Sequence, residues 1–384
     1  MPKRLLWFYT LIVLINGCSN LSRQENTETP APLVEFTPSL TLKILWTANA
    51  GGGTDKSYLK LAPAFYHDQL FTASPKGLLR AFTLTDGKMV WEQQIDTAIS
   101  GGPGVGEGLV LIGSHKGEVI ALSEIDGTEL WRTQVSSEVL AKPQINQGIV
   151  VVRTVDGKLF GLESKTGERL WVYERSRVPL LSLRGTGAPI IKQDIIIAGF
   201  DNGKMAALEL HKGQVLWEIP VAVPRGRSEL ERMVDIDADP LLMDNIIYVT
   251  SYQGRTVAID LFKGELLWEK KLSSYTGLGV DSNHLYISDT HSHVWALDRY
   301  SGDNWWKQDK LQARDVTSPV SIGNYVVVGD QEGYLHWMRR DDGQFVARQR
   351  LGKASILVPP LVVNKTLVAY DSRGEIVALQ AEEN

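Results

Sequence analysis

The 384-residue chain holds a single cysteine, Cys18, so an intramolecular disulfide is excluded and the fold has to hold by packing. No apolar run reaches membrane-spanning length: the stretch from Leu5 to Ile15 is eleven residues, too short to cross a bilayer. A sustained basic run is also missing. With 40 Lys and Arg against 45 Asp and Glu the net charge is −5, which argues against a nucleic-acid partner. The glycines from Gly101 to Gly106 imitate a phosphate loop, but no helix follows to offer its N-terminus, and a tight approach to a strand explains them better. His291 and His293, with Asp281, His284 and Asp289 nearby, have the chemistry of metal ligands without a complete spaced motif, and they occupy the place of an ordinary turn. The reading is therefore of no metal and no cofactor.

What is present is a repeat. Eight segments follow the pattern Gly-x-φ-x-Ala-Leu (φ apolar), beginning at Gly77, Gly117, Gly157, Gly203, Gly254, Ser292, Gly333 and Gly374. Most are followed by Gly-x-x-φ-Trp, ending at Trp91, Trp131, Trp171, Trp217, Trp268 and Trp306, with Ala347 in the seventh copy. A period of about 40 residues with four short apolar runs per unit means a β-propeller. Within a unit, a Pro such as Pro63, Pro143 or Pro360 opens the first strand, where a missing N–H is tolerated. A β-branched run such as Ile149 to Val152 follows, continuous enough to be buried on both faces. Asp-Gly and Asn-Gly pairs (Asp156-Gly157, Asn202-Gly203, Asp126-Gly127) then mark the hairpins, because tight hairpin turns need positive φ. The recurrent Trp is read as a wedge between neighbouring blades, its N–H reaching a backbone acceptor.

The eighth unit ends at Asn384 without a Trp strand, whereas the orphan segment Leu42 to Trp46 precedes the first unit. The N-terminal segment is thus expected to supply the last strand of the last blade, giving an all-β, eight-bladed propeller without a free edge at the closure.

Lys3 and Arg4 ahead of the apolar stretch, then Asn16-Gly17 and Cys18, resemble a bacterial lipobox, with the leader removed and the cysteine lipidated. Ser19 after the cysteine, where an Asp would resemble an inner-membrane retention signal, favours the outer membrane. The expected organisation is a signal peptide over 1–17, a lipidated cysteine and flexible tether over 18–40, and the propeller over 41–384.

Two connections between blades exceed the repeat. The first, Val178 to Gly185, places leucines beside an arginine, as protein interfaces do, although the leucines alone also suit a loop seated on the rim. The second, Pro224 to Asp239, carries Arg225, Arg227, Glu229, Glu231, Arg232, Asp235 and Asp237, a mixture that also suits a solvated loop. Ser228 and Glu231 have capping-box spacing for one helical turn. Repeats, lipobox, tether and connections together resemble the outer-membrane protein assembly factor B family, the propeller lipoproteins of the β-barrel assembly machinery. That resemblance implies a non-enzymatic scaffold on the periplasmic face of the outer membrane, binding the periplasmic domains of the barrel insertase and reached by unfolded outer-membrane clients. It carries docking roles onto Leu181, Leu183 and Arg184, and onto Arg232, Asp235 and Asp237. Quinone-cofactor dehydrogenases resemble the repeats too, but many carry an adjacent cysteine pair that is missing here, and no basic, amide and carboxylate set to hold quinone and calcium stands out. A generic envelope scaffold is the remaining alternative.

Overall fold

The computed structural model describes residues 28–54, 59–174, 187–223, 227–228 and 233–382. They form eight four-stranded antiparallel sheets, each built from strands consecutive in the chain except at the closure. The first blade shows the plan: Ala64–Tyr66 innermost, then Gln69–Ala73, Leu78–Thr83 and Met89–Gln94 at the outer edge. Second strands such as Ile149–Arg153 are buried throughout, as their unbroken β-branched runs require, and outer strands alternate exposed and buried residues. Pro63, Pro143, Pro189, Pro240, Pro319 and Pro360 each stand one residue before an innermost strand, whereas Pro103 lies inside the longer strand Ile99–Gly106. In that strand a Cβ on Gly104 would sit 2.0 Å from the Pro143 carbonyl oxygen, so the glycine run serves a close approach between blades.

The inter-blade wedge is a repeated joint. Trp46, Trp91, Trp131, Trp171, Trp217, Trp268 and Trp306 each donate the indole N–H to a carbonyl of the next blade at 2.7 to 2.9 Å. Each ring also lies on the turn glycine of that blade. A Cβ on Gly127 would stand 2.7 Å from the Trp91 ring, and its φ of +73° is already unfavourable to other residues. Opposite each outer Trp the neighbouring strand offers a small residue, as in Ala121 facing Trp131 and Gly161 facing Trp171.

The closure is as expected. Strand Thr41–Asn49 pairs antiparallel with Glu375–Glu382, in register from Thr41 opposite Glu382 to Asn49 opposite Glu375, with a bulge between Ile44 and Trp46. The seventh blade reverses the usual pairing: Trp337 on the third strand faces Ala347 on the outer strand. Its neighbour, the eighth blade, closes with the N-terminal strand and has no outer hairpin turn for a Trp to stack on. Trp337 is fully buried in the cluster that holds Leu40, Leu367 and Leu379.

The segment ahead of the closing strand differs from the expected tether. From Glu28 onward it lies on the sixth and seventh blades. The Ala31 N–H donates to the Gln312 carbonyl at 3.0 Å, and the amides of Ser39 and Leu40 reach the Val346 carbonyl. Arg314 donates to the Ala31 carbonyl at 2.8 Å, Arg348 donates to the Val34 carbonyl at 3.0 Å, and Phe36 stacks on Phe345 at 5.7 Å beneath the Arg348 guanidinium. The 18–40 boundary is therefore corrected: residues 28–40 are a seated strap, and Cys18 with the rest of the expected tether lies outside the described residues.

Candidate docking surface

Both long connections leave outer strands and return to innermost ones, the first between Arg169–Tyr173 and Ile190–Lys192, the second between Val215–Pro220 and Leu241–Met243. They flank the fourth blade and so share one sector of the rim. Leu181, Leu183, Arg184 and Arg232 lie outside the described residues, as does Glu231 of the capping box. Asp235 and Asp237 are described, and both are buried, at 0% and 5% exposed. The expectation that they stand on the open docking surface is corrected in that respect. Residues 233–238 run inward, with Met233, Val234, Ile236 and Ala238 buried alongside. Beta-branched and small residues pack there because Gly199 and Gly203 leave room: a Cβ on Gly199 would meet Ile236 at 2.3 Å.

Residues not anticipated from the sequence hold the bases of these connections. Arg153, at the end of a buried strand, donates to Asp201 at 2.6 Å and to the Gly187 carbonyl at 3.1 Å, joining the third blade, the fourth blade and the point where the first connection rejoins the ring. The two side chains are 1% and 4% exposed. Asp239 accepts the Ala188 N–H at 2.7 Å, tying the end of the second connection to the end of the first. Lys60, which precedes the first blade, donates to the Asp237 carbonyl at 3.1 Å. Blades one and five are opposite in an eight-membered ring, so this contact spans the axis. A charged residue closing the apolar run Ile149 to Val152 was the visible signal for Arg153; nothing in the sequence pointed to Lys60.

The histidine segment of the sixth blade is occupied with turn bonding. Asp289 accepts the N–H groups of His291 and His293 with one oxygen and the Trp295 indole and His293 ring with the other, all at 2.9 Å. Burial pushes its carboxyl up, and the Trp295 and His293 bonds more than reverse this, leaving it below the usual carboxylate range. Asp281 likewise accepts the Asn283 and His284 amides and the Tyr286 hydroxyl. Among the described residues no three His, Cys, Asp or Glu side chains converge as metal ligands.

Fold and rim define an eight-bladed propeller of Trp-docked repeats whose departures from the repeat are concentrated in two buttressed connections. Residues 75–308 match the family described as outer membrane protein assembly factor BamB. The chain is 46% identical over 368 residues to the protein of that name from Pseudomonas aeruginosa, covering 96% of each chain, and 39% identical to that of Kangiella koreensis over 98% of this chain and 96% of the other. The chain belongs to the BamB family. The crystal structure of BamB from Moraxella catarrhalis is similar with a TM-score of 0.81 at 27% identity, covering 88% of this chain and all of that one. A europium-containing methanol dehydrogenase superposes with a TM-score of 0.75 at 11% identity, covering 88% of this chain and 93% of that one, a likeness of fold alone.

Proposed function

We propose that this protein is a non-enzymatic scaffold of outer-membrane protein assembly, held on the periplasmic face of the outer membrane by lipid on Cys18. Its docking surface is the rim around the fourth blade, where Leu181, Leu183, Arg184 and Arg232 contact the periplasmic domain of the barrel insertase. The carrying observation is the likeness, over nearly the whole chain, to relatives named as outer membrane protein assembly factors. The buttressing by Arg153, Asp201 and Asp239 supports it, because an interface on long connections needs their ends fixed to avoid a large ordering cost on binding. Asp235 and Asp237 act from beneath, shaping the second connection. Anchoring both partners to one membrane raises their effective concentration, so modest intrinsic affinity suffices.

Outer strands end every sheet, and they expose Val90, Leu130, Leu170, Leu216 and Leu267 one residue before the docking Trp. This edge suits pairing with an unfolded β-strand client by augmentation. Hydrogen exchange of the outer strands with and without an unfolded barrel protein tests that step, and unchanged exchange counts against it.

For the docking surface, the lipidated protein is purified from its own membranes beside a Leu183→Glu, Arg184→Glu variant, and copurifying proteins are identified. A large β-barrel protein should accompany the parent and be lost from the variant. Single truncations of either residue should each weaken binding by about 1–3 kcal/mol. Recovery of the barrel protein with the variant removes this patch. A quinone-like absorbance in the purified protein overturns the non-enzymatic reading.

A further inference from the structure

Two arginines hold the strap by its main chain, and both depend on one carboxylate oxygen. Oδ2 of Asp330 accepts the Nε–H of Arg314 and bonds Nε2 of His336, each at 2.8 Å. Arg314 also donates to Glu332 and to the Ala31 carbonyl. On the other side of the imidazole, the Nε–H of Arg348 donates to Nδ1 of His336 at 3.3 Å, Nη1 of Arg348 holds the Val34 carbonyl at 3.0 Å, and its guanidinium covers Phe36. An arginine nitrogen can only donate, so Nδ1 carries a lone pair and the ring hydrogen sits on Nε2, facing Asp330. His336, Asp330 and Arg314 are buried. The strap itself is lightly held: Pro32, Val34, Glu35, Thr37 and Pro38 are exposed, and a cleft of about 510 Å³ opens between Ala31 to Val34 and Lys307 and Lys310 of the sixth blade. A segment with so little buried surface opens at low free-energy cost.

From this geometry we infer that the strap is a pH-operated clasp: protonation of His336 at Nδ1 releases Arg348, and with it the strap around Val34 and Phe36, from the seventh blade. The incoming proton takes the lone pair that Arg348 uses and sets an imidazolium against a guanidinium. The charged and titratable groups around the ring are Asp330 and Glu332 in the turn before its strand, Arg314 from the preceding connection, Tyr334 on its own strand beneath Arg350, and Arg348 on the outer strand. Phe345 and the strap's Phe36 bring no charge. Arg314 already draws on both Asp330 and Glu332, so an imidazolium beside Arg348 has no carboxylate of its own. Arg348 is half-buried and can turn to water, whereas His336 and Arg314 are enclosed. While the strap is seated, burial holds the imidazole below its ordinary 6.5, with Asp330 opposing and the Arg348 and Arg314 charges adding to the fall. Departure of Arg348 removes one of these charges and strengthens proton binding, so release is favoured as the pH falls below 6.5. Uptake of one proton raises the ratio of released to seated strap by at most about tenfold per pH unit. Release bares the Phe345 ring and the Arg348 guanidinium on the outer strand Phe345–Arg350.

The test is fluorine NMR of the full-length protein carrying para-fluorophenylalanine, with the Phe36 signal assigned by its loss in Phe36→Leu. The buried rings of Phe71, Phe82 and Phe160 report on the propeller in the same spectra. Between about pH 7.5 and about pH 5 the Phe36 signal should move toward that of an unstructured chain, the released fraction rising severalfold, while the three reference signals stay dispersed. His336→Gln can still donate to Asp330 and accept from Arg348 without taking up a proton, and should hold the Phe36 signal in place throughout. Arg348→Met should show the released signal already at pH 7.5, with little further change on acidification. A parent Phe36 signal that stays fixed until the reference signals collapse overturns the clasp, and a shift of equal size in His336→Gln overturns His336 as its trigger. Should His336→Gln lose the reference signals, Arg348→Met decides, and a strap still seated there overturns the inference.

Discussion

At the scale of single residues, the informative positions are those where one side chain serves two blades. Gly127 meets both conditions, a left-handed φ and a Trp91 ring where its Cβ would stand. Gly127→Ala should therefore destabilise the protein by about 2 kcal/mol or more, read as a lower urea midpoint. The Arg153–Asp201 pair is subject to a different rule. Asp201→Ala leaves a buried guanidinium without its carboxylate and should cost about 3–5 kcal/mol, whereas replacing both partners by apolar residues should cost much less. A double-mutant cycle in urea checks this, and a double-variant loss equal to the sum of the two single losses would refute the coupling. Trp docking was legible from the sequence because each blade repeats it. The exchange of Trp337 and Ala347 was visible only as two breaks in the pattern, and their register opposite one another turns the two breaks into a single compensation. Lys60 was not legible, since its acceptor is a backbone carbonyl on the opposite side of the ring and leaves no trace in side-chain pattern.

At the scale of elements, the closing strand was foreseeable because the eighth unit lacked what the N-terminal segment had to spare. Removing residues 1–49 should leave the eighth blade with three strands and an open edge, and produce aggregation and loss of a cooperative thermal transition, followed by size-exclusion chromatography and circular dichroism. The strap was not foreseeable. Its Pro- and Thr-rich composition reads as a linker, and most of what seats it is the carbonyl groups of Ala31 and Val34. Beneath it, burial pushes the His336 imidazole below its ordinary value of 6.5, with Asp330 opposing and the Arg348 and Arg314 charges adding to the fall. A depressed folded value means that this group's stabilising contribution is complete above pH 6.5 and is lost as the pH falls toward the folded value. Asp330, held below the usual carboxylate range, adds a loss of the same sign at more acidic pH. The urea midpoint should fall between pH 7.5 and about pH 5, and His336→Gln, which takes up no proton, should flatten that part of the decline.

At the scale of the whole molecule, the additions to the repeat fall in two sectors of one ring. The strap is seated on the sixth and seventh blades, and the connections proposed to dock the insertase flank the fourth. Ring architecture and the existence of the connections were readable from the sequence, because repeats make any excess length conspicuous. The depth of each connection residue was not. Asp235 and Asp237 looked like surface charges and are buried, since acidic residues at the start of a strand read alike whether they face water or cap a neighbouring turn. A consequence at this scale is that Lys60→Ala, remote in sequence from either connection, should increase hydrogen exchange in residues 233–239 while leaving the outer strands of the first blade unchanged.

The reversed Trp337–Ala347 pair has a consequence for chain order. Seven joints of the ring share one design, and the eighth is built for a neighbour that begins and ends there. A circular permutant that links Glu382 to the closing strand and opens at another blade moves the termini but leaves the seam's packing behind. It should fold well only when the tryptophan and alanine are exchanged at the old seam and the reverse exchange is made at the new one. The location of the cut is thus part of the packing code.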